Sequence, residues 1–158
     1  MMNITLDHYD KAIIHALQED SSISNLVLSK SIGLSPSACL ARTKNLRELR
    51  VIQRFTAFVD EKKLGIETLA FTMVSLSPLN REIANSFVQK INETPNVLEC
   101  YTITGGQDYL LKVVAKDMST YRDFIIDYLM AIPGVNRVET SIVMQTEKRT
   151  LSIPLDEE

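Results

Sequence analysis

Apolar residues recur along the first fifty positions at intervals of three and four, the spacing of one helix face. Asp7 supplies an N-cap ahead of the stripe Ile13, Ile14 and Leu17. Ser24 caps a second short helix through Leu28 to Ile32, and Gly33 ends it. Ser35 then caps a third, with Pro36 at the first helical position, where a missing N–H costs nothing. On this third helix Cys39, Thr43, Leu46 and Arg50 share one face. Arg42 and Arg47 flank it, and Ser37, Ala41, Lys44 and Glu48 point away. The next stretch, "VIQRFTAFVDEKKLG", alternates well enough to predict a strand, a turn and a second strand.

Beyond Gly65 the period changes. "ETLAFTMVSL", "NVLECYTITG", "YLLKVVA" and "VNRVETSIVM" are rich in Val, Ile, Thr and aromatics, as strands are. Two helical patterns, Arg81–Asn92 and Met118–Met130, lie between them, and the two halves repeat at an offset of 38. Ile83, Phe87 and Ile91 match Tyr121, Ile125 and Leu129, and "TPNVLEC" matches "IPGVNRV". A duplicated β–α–β unit of this kind predicts a four-stranded antiparallel sheet with both helices on one face, the ferredoxin-like βαββαβ arrangement. One sheet face would stay uncovered, and an apolar open face usually means a partner. The class is α+β, with domains at 1–63 and 64–158.

Charge sharpens this division. Residues 1–20 carry a net −3, residues 21–63 a net +5 (eight Lys/Arg against three Asp/Glu) and residues 64–158 a net −5, within an overall −3. A basic patch inside an acidic chain fits a polyanion, and equally a solvated helix face. No apolar run approaches the roughly 20 residues of a membrane span, and the acidic N-terminus has no export signal, so a cytoplasmic site is expected. Cys39 and Cys100 fall in different domains and read as buried thiols, not a disulfide. His8 and His15 are too few for a metal site. No nucleophile elbow or phosphate loop is present, so neither catalysis nor a cofactor is expected.

Two stretches carry chemistry. The helices around Gly33–Leu34 fit a helix–turn–helix, whose second helix enters the major groove N-terminus first. Ser35, Ser37, Ala38 and Ala41 are small enough to let its backbone approach base edges, and Arg42, Lys44 and Arg47 can reach phosphates. A helical dimerisation module is the alternative. The second stretch is "TITGGQDYLL", residues 102–111. Its glycines let amides face outward to hold a carboxylate, and Asp108 can accept from an ammonium group, which together suit a free amino acid. On these residues alone, a plain Gly-Gly hairpin turn closed by a polar residue is the commoner reading.

Taken in order, "LDHYDKAIIHALQED", "LSKSIGLSPSACLARTKNL", "VIQRFTAFVDEKKLG" and "VLECYTITGGQDYLLKVVA", with its Gly-x-x-Asp loop, resemble the Lrp/AsnC ("feast/famine") transcription regulators over nearly the whole chain. The resemblance implies an N-terminal winged helix–turn–helix and a C-terminal ligand-sensing (RAM) domain of the duplicated ferredoxin-like type. It implies double-stranded DNA as partner, homodimers that join through the sheets and associate into octamers, and an amino-acid effector. The effector site would then use Tyr101, Thr104, Gly105, Gly106 and Asp108, with Thr140 and Ser141 from a neighbour. Tyr101, Ile103 and Met130 as lining favour an apolar effector such as leucine or methionine. The rival reading is an amino-acid-binding oligomer whose helical end does not read DNA. Two positions depart from the family pattern: Thr43 stands where Val or Ile is usual, and Arg50 where Gly is usual, which would alter the turn into the wing.

Overall fold

The structure, a computed structural model, describes residues 4–155. The chain divides into two compact units. One comprises residues up to Phe58 together with those from Lys148, and the other is Val59–Glu147. The packing thus places the last residues of the chain with the helical unit, whereas the sequence division runs at 63/64.

The helical unit holds α1 (His8–Glu19), α2 (Asn25–Ser31) and α3 (Pro36–Glu48). Each starts on a side-chain cap that takes one of the orphan N–H groups of the first turn. Asp7 accepts from the amide of Asp10 at 2.9 Å while Asp10 reaches back to the amide of Asp7, a reciprocal box. Ser24 and Ser35 accept from the amides of Val27 and Ala38. Ile13, Ile14, Leu28, Cys39 and Leu46 form the core. Thr43 sits half-buried beside it, its hydroxyl donating to the Cys39 carbonyl at 2.9 Å, a bond that Val or Ile could not make.

Arg50 lies past the helix end and is exposed, so it does not join the buried face predicted for it. Its φ is +57°, left-handed, and the bonds Arg50 N–H to Arg47 and Val51 N–H to Leu46 close a Schellman ending. The turn therefore keeps the geometry that favours glycine, although arginine occupies it.

The strand pair expected over 51–63 does not form: among the described residues no ladder includes this stretch. Phe55, Phe58 and Val59 leave 43%, 58% and 51% of their area exposed. The polar end is used differently. The Asp60 carboxylate accepts from the amides of Lys62 and Lys63, and a single 3-10 turn, Lys62–Leu64, closes at Gly65.

The second unit is the antiparallel sheet β1 (Thr68–Leu76), β2 (Val97–Thr102), β3 (Tyr109–Ala115) and β4 (Val135–Ile142), in the order β2-β3-β1-β4. Helix α4 (Arg81–Asn92) and helix α5 (Met118–Asp123), which continues as a π-helical turn over Phe124–Leu129, cover one face. Alternation decides which face. Ala70, Thr72, Val74 and Leu76 of β1 and Tyr109, Leu111, Val113 and Ala115 of β3 are buried against Phe87, Ile91, Tyr121, Phe124 and Leu129. The Tyr121 hydroxyl is hydrogen-bonded to Thr72 Oγ1 at 2.8 Å and to Thr140 Oγ1 at 2.7 Å, which satisfies the polar groups that this core buries. Gly134 makes the turn into β4 at φ +90°, where a Cβ would lie 2.3 Å from Ile83 Cγ2. The opposite face carries Leu69, Phe71 and Met73 of β1 and Leu110, Lys112 and Val114 of β3.

Candidate functional site

The turn between α2 and α3 is set by Gly33 at φ +72°, followed by Leu34, whose amide donates to the Ser29 carbonyl at 2.9 Å. The Asn25 side chain then donates to the Pro36 carbonyl, tying the first turns of the two helices together. This leaves Ser35, Ser37, Ala41, Lys44 and Arg47 exposed on α3, with Ala38 half-buried. The exposed Lys44–Glu48 pair, at 3.6 Å, is the kind worth only about 0.3–0.5 kcal/mol and does not hold the lysine back. Arg47 lies over the Phe55 ring, 5.5 Å from its centroid.

Arg42 is placed differently from its neighbours. Its Nη1 bridges Asp7 Oδ2 at 2.8 Å and Asp10 Oδ1 at 2.9 Å, and its guanidinium stands over the Tyr9 ring. It is a strut between α3 and the start of α1. The amide of Asp10, and then Arg42, hold the Asp7 carboxyl below the ordinary aspartate range. Sequence reasoning missed this pairing. The acidic box "DHYD" was visible, but its cation lies 32 residues beyond Asp10.

The second site is the hairpin between β2 and β3. It is closed by the Ile103 amide donating to the Asp108 carbonyl, and Gly105 turns at φ +120°. A Cβ at Gly105 or Gly106 would meet nothing within 4 Å, so the loop is uncrowded at both glycines. Asp108 is tied to β1: its amide donates to the Val74 carbonyl, and its Oδ2 accepts from the Leu76 amide at 2.7 Å. That carboxylate oxygen extends the β1–β3 ladder by one step and fixes the loop. Gln107 is hydrogen-bonded to the Ser75 hydroxyl beside it.

Tyr101 projects from the open sheet face, its hydroxyl donating to Glu99 Oε2 at 2.7 Å. Glu99 also pairs with Lys112 at 2.7 Å. Thr140 and Ser141, as consecutive strand residues, point to opposite faces. Thr140 is turned toward Tyr121, and Ser141 pairs with Phe71 on the open side. The two cannot line the same face of one site.

A helix–turn–helix joined to a duplicated βαββαβ unit is matched by two family models in the same order. Residues 6–47 match the AsnC-type helix-turn-helix domain, and residues 69–153 the Lrp/AsnC ligand binding domain. The chain belongs to the Lrp/AsnC family of transcription regulators. It is 65% identical to the transcriptional regulator AzlB of Bacillus subtilis over 99% of both chains. It is 40% identical to the leucine-responsive regulatory protein of Klebsiella pneumoniae over 92% of this chain and 88% of that one. Among solved structures, a Neisseria meningitidis transcriptional regulator in complex with L-methionine superposes with a TM-score of 0.91 at 33% identity. That match covers 95% of this chain and 97% of the other.

Membership makes this Lrp/AsnC chain a DNA-binding transcriptional regulator with an N-terminal helix–turn–helix, in a family of regulators and not of enzymes. It sets aside the rival reading in which the helical end does not meet DNA. Among the described residues no helix is long and apolar enough to cross a membrane.

Proposed function

We propose that this regulator senses an apolar amino acid, leucine or methionine, through the loop Thr104–Asp108, and that the ligand alters how its α3 helices engage double-stranded DNA. The observation that carries the reading is the loop itself: uncrowded space at Gly105 and Gly106, where backbone amides can be approached, beside Asp108, which is tied to the Leu76 amide. Such amides suit a carboxylate. Asp108 keeps a second oxygen for the ammonium group, and Tyr101 and Ile103 supply adjoining surface. The ligand of the Neisseria structure, L-methionine, supports the class of effector.

On the DNA side Ser35, Ser37, Ala38 and Ala41 approach the bases, and Lys44 and Arg47 contact phosphates. Arg42 acts by holding α3 in place. Two copies join through the sheet face bearing Phe71, and such dimers assemble into octamers in the cytoplasm. The effector acts by its difference in affinity between assembly states.

Isothermal calorimetry with leucine and methionine tests the sensing half. Wild-type protein should bind at least one of them. Because a Cβ at Gly106 would meet nothing within 4 Å, Gly106→Val should fold normally and bind at least about tenfold more weakly. Undiminished binding by the variant would move the site elsewhere. No heat from either amino acid with wild-type protein would overturn the effector assignment.

A further inference from the structure

The buried arc of α3 is Cys39 and Leu46, with Thr43 at its margin, and Arg42 turns toward α1. The solvent arc runs Ser37, Leu40 and Ala41, Lys44, at helical spacing. All of these side chains are small or polar except one. Leu40 leaves 59% of its area exposed and takes no part in the apolar cluster of its unit. It stands one turn after Ser37 and one turn before Lys44, at the centre of the surface offered to DNA, and polar side chains flank it on both sides.

We propose that Leu40 is a specificity residue that reads the 5-methyl group of a thymine in the major groove. This rests on the reading that α3 enters that groove. Among the four base edges exposed there, only thymine presents an apolar group, so an unpartnered leucine in the contact surface selects thymine by burial alone. The neighbouring positive charge completes the fit. Lys44, one turn on, and Arg47 hold the flanking phosphates and fix the depth at which Leu40 meets the base edge. Ser37 and Ala41 beside it are short enough to let the leucine reach the base.

The test uses full-length protein and a duplex enriched by it from a random pool. Each thymine of that duplex is replaced in turn by deoxyuridine, which removes the methyl group and keeps the hydrogen-bonding edge. At one thymine per half-site, wild-type protein should lose about fourfold in affinity, the worth of one buried methyl. Leu40→Ala should bind the thymine and uracil duplexes equally. The exposed position makes that substitution harmless to the core, and circular dichroism checks that the helices remain. If every uracil replacement leaves wild-type binding unchanged, or if Leu40→Ala shows the same loss as wild type, the assignment is overturned while DNA binding stands. If no duplex is enriched at all, the reading of α3 falls, and this inference with it.

Discussion

The two units of this chain are held together by different means. The sheet unit buries alternate residues of two central strands against two helices, and its polar interior, Thr72, Tyr121 and Thr140, satisfies itself. The helical unit has a small core, Ile13, Ile14, Leu28, Cys39 and Leu46, finished by half-buried residues at its edges. One of these is Leu155, from the far end of the chain, whose segment is clipped on by the Gln18 side chain through paired hydrogen bonds to Ile153. Where apolar area runs short, the unit relies on caps, an arginine strut and a borrowed tail. α3 gives only Cys39 and Leu46 to that core, because most of its remaining side chains are small or polar and stay at the surface.

The largest expected effect lies in the sheet. Phe87 is fully buried, with its ring centroid 4.7 Å from that of Tyr109. Phe87→Ala should cost about 3–5 kcal/mol. Hydrogen exchange should show the amides of β1 and β3 losing protection while those of α1–α3 keep most of theirs. Equal loss in both units would mean that they unfold as one body and that the contrast is wrong.

The second prediction probes the borrowed tail. Leu155 is half-buried, so Leu155→Ala should cost about 1–2 kcal/mol, less than a core deletion. The loss should appear in the exchange of α1, which carries Gln18, and not in the sheet. Unchanged protection of α1 would show that the tail adds nothing to the helical unit.

The third compares two capping aspartates. Asp7 caps α1 and is bound to Arg42, whereas Asp117 caps α5 through the Thr120 amide without a guanidinium. Both carboxyls lie below their ordinary value, in each case first because a backbone amide donates to them. A depressed carboxyl stabilises the fold fully above its unfolded pKa, near 3.9, and the contribution is lost as pH falls through the lower folded value. Both units should therefore weaken in acid, below about pH 4. Asparagine keeps the cap but cannot titrate or pair with charge. At neutral pH Asp7→Asn should thus lower the melting temperature more than Asp117→Asn does, and added salt should narrow the difference. Equal shifts would mean that the Asp7 arm of the Arg42 strut contributes nothing.

Local chemistry was readable in the sequence because it acts over three or four residues. The caps Asp7, Ser24 and Ser35, Pro36 at the head of α3, and the glycine turn at 33 all lie where the pattern places them. The 38-residue repeat gave both sheet helices and the strands that return beneath them. What could not be read depends on distant partners. Arg42 looked like a free cation because Asp7 and Asp10 lie a whole helix away. Thr140 and Ser141 looked like neighbours at one site because strand facing follows from the register with β1, which pairs Thr72 with Thr140. The stretch after α3 alternates like a strand, but alternation does not provide a second strand to pair with.

Arg50 gives the smallest and most local prediction. It occupies the left-handed position of the Schellman ending of α3, which costs an L-residue about 1–2 kcal/mol and glycine almost nothing. Glycine loses more backbone freedom on folding, which offsets part of this and leaves a net gain near 0.5–1 kcal/mol for Arg50→Gly. A competing term has the opposite sign, since a cation at a helix C-terminus stabilises by about 0.3–1 kcal/mol at low ionic strength. Salt screens that term and leaves the backbone term untouched. The urea midpoint of Arg50→Gly should therefore be close to wild type in dilute buffer and above it at high salt, with an unchanged m-value. A midpoint that falls as salt rises would mean that the arginine contributes through contacts salt does not weaken, and that its strained backbone is the lesser effect.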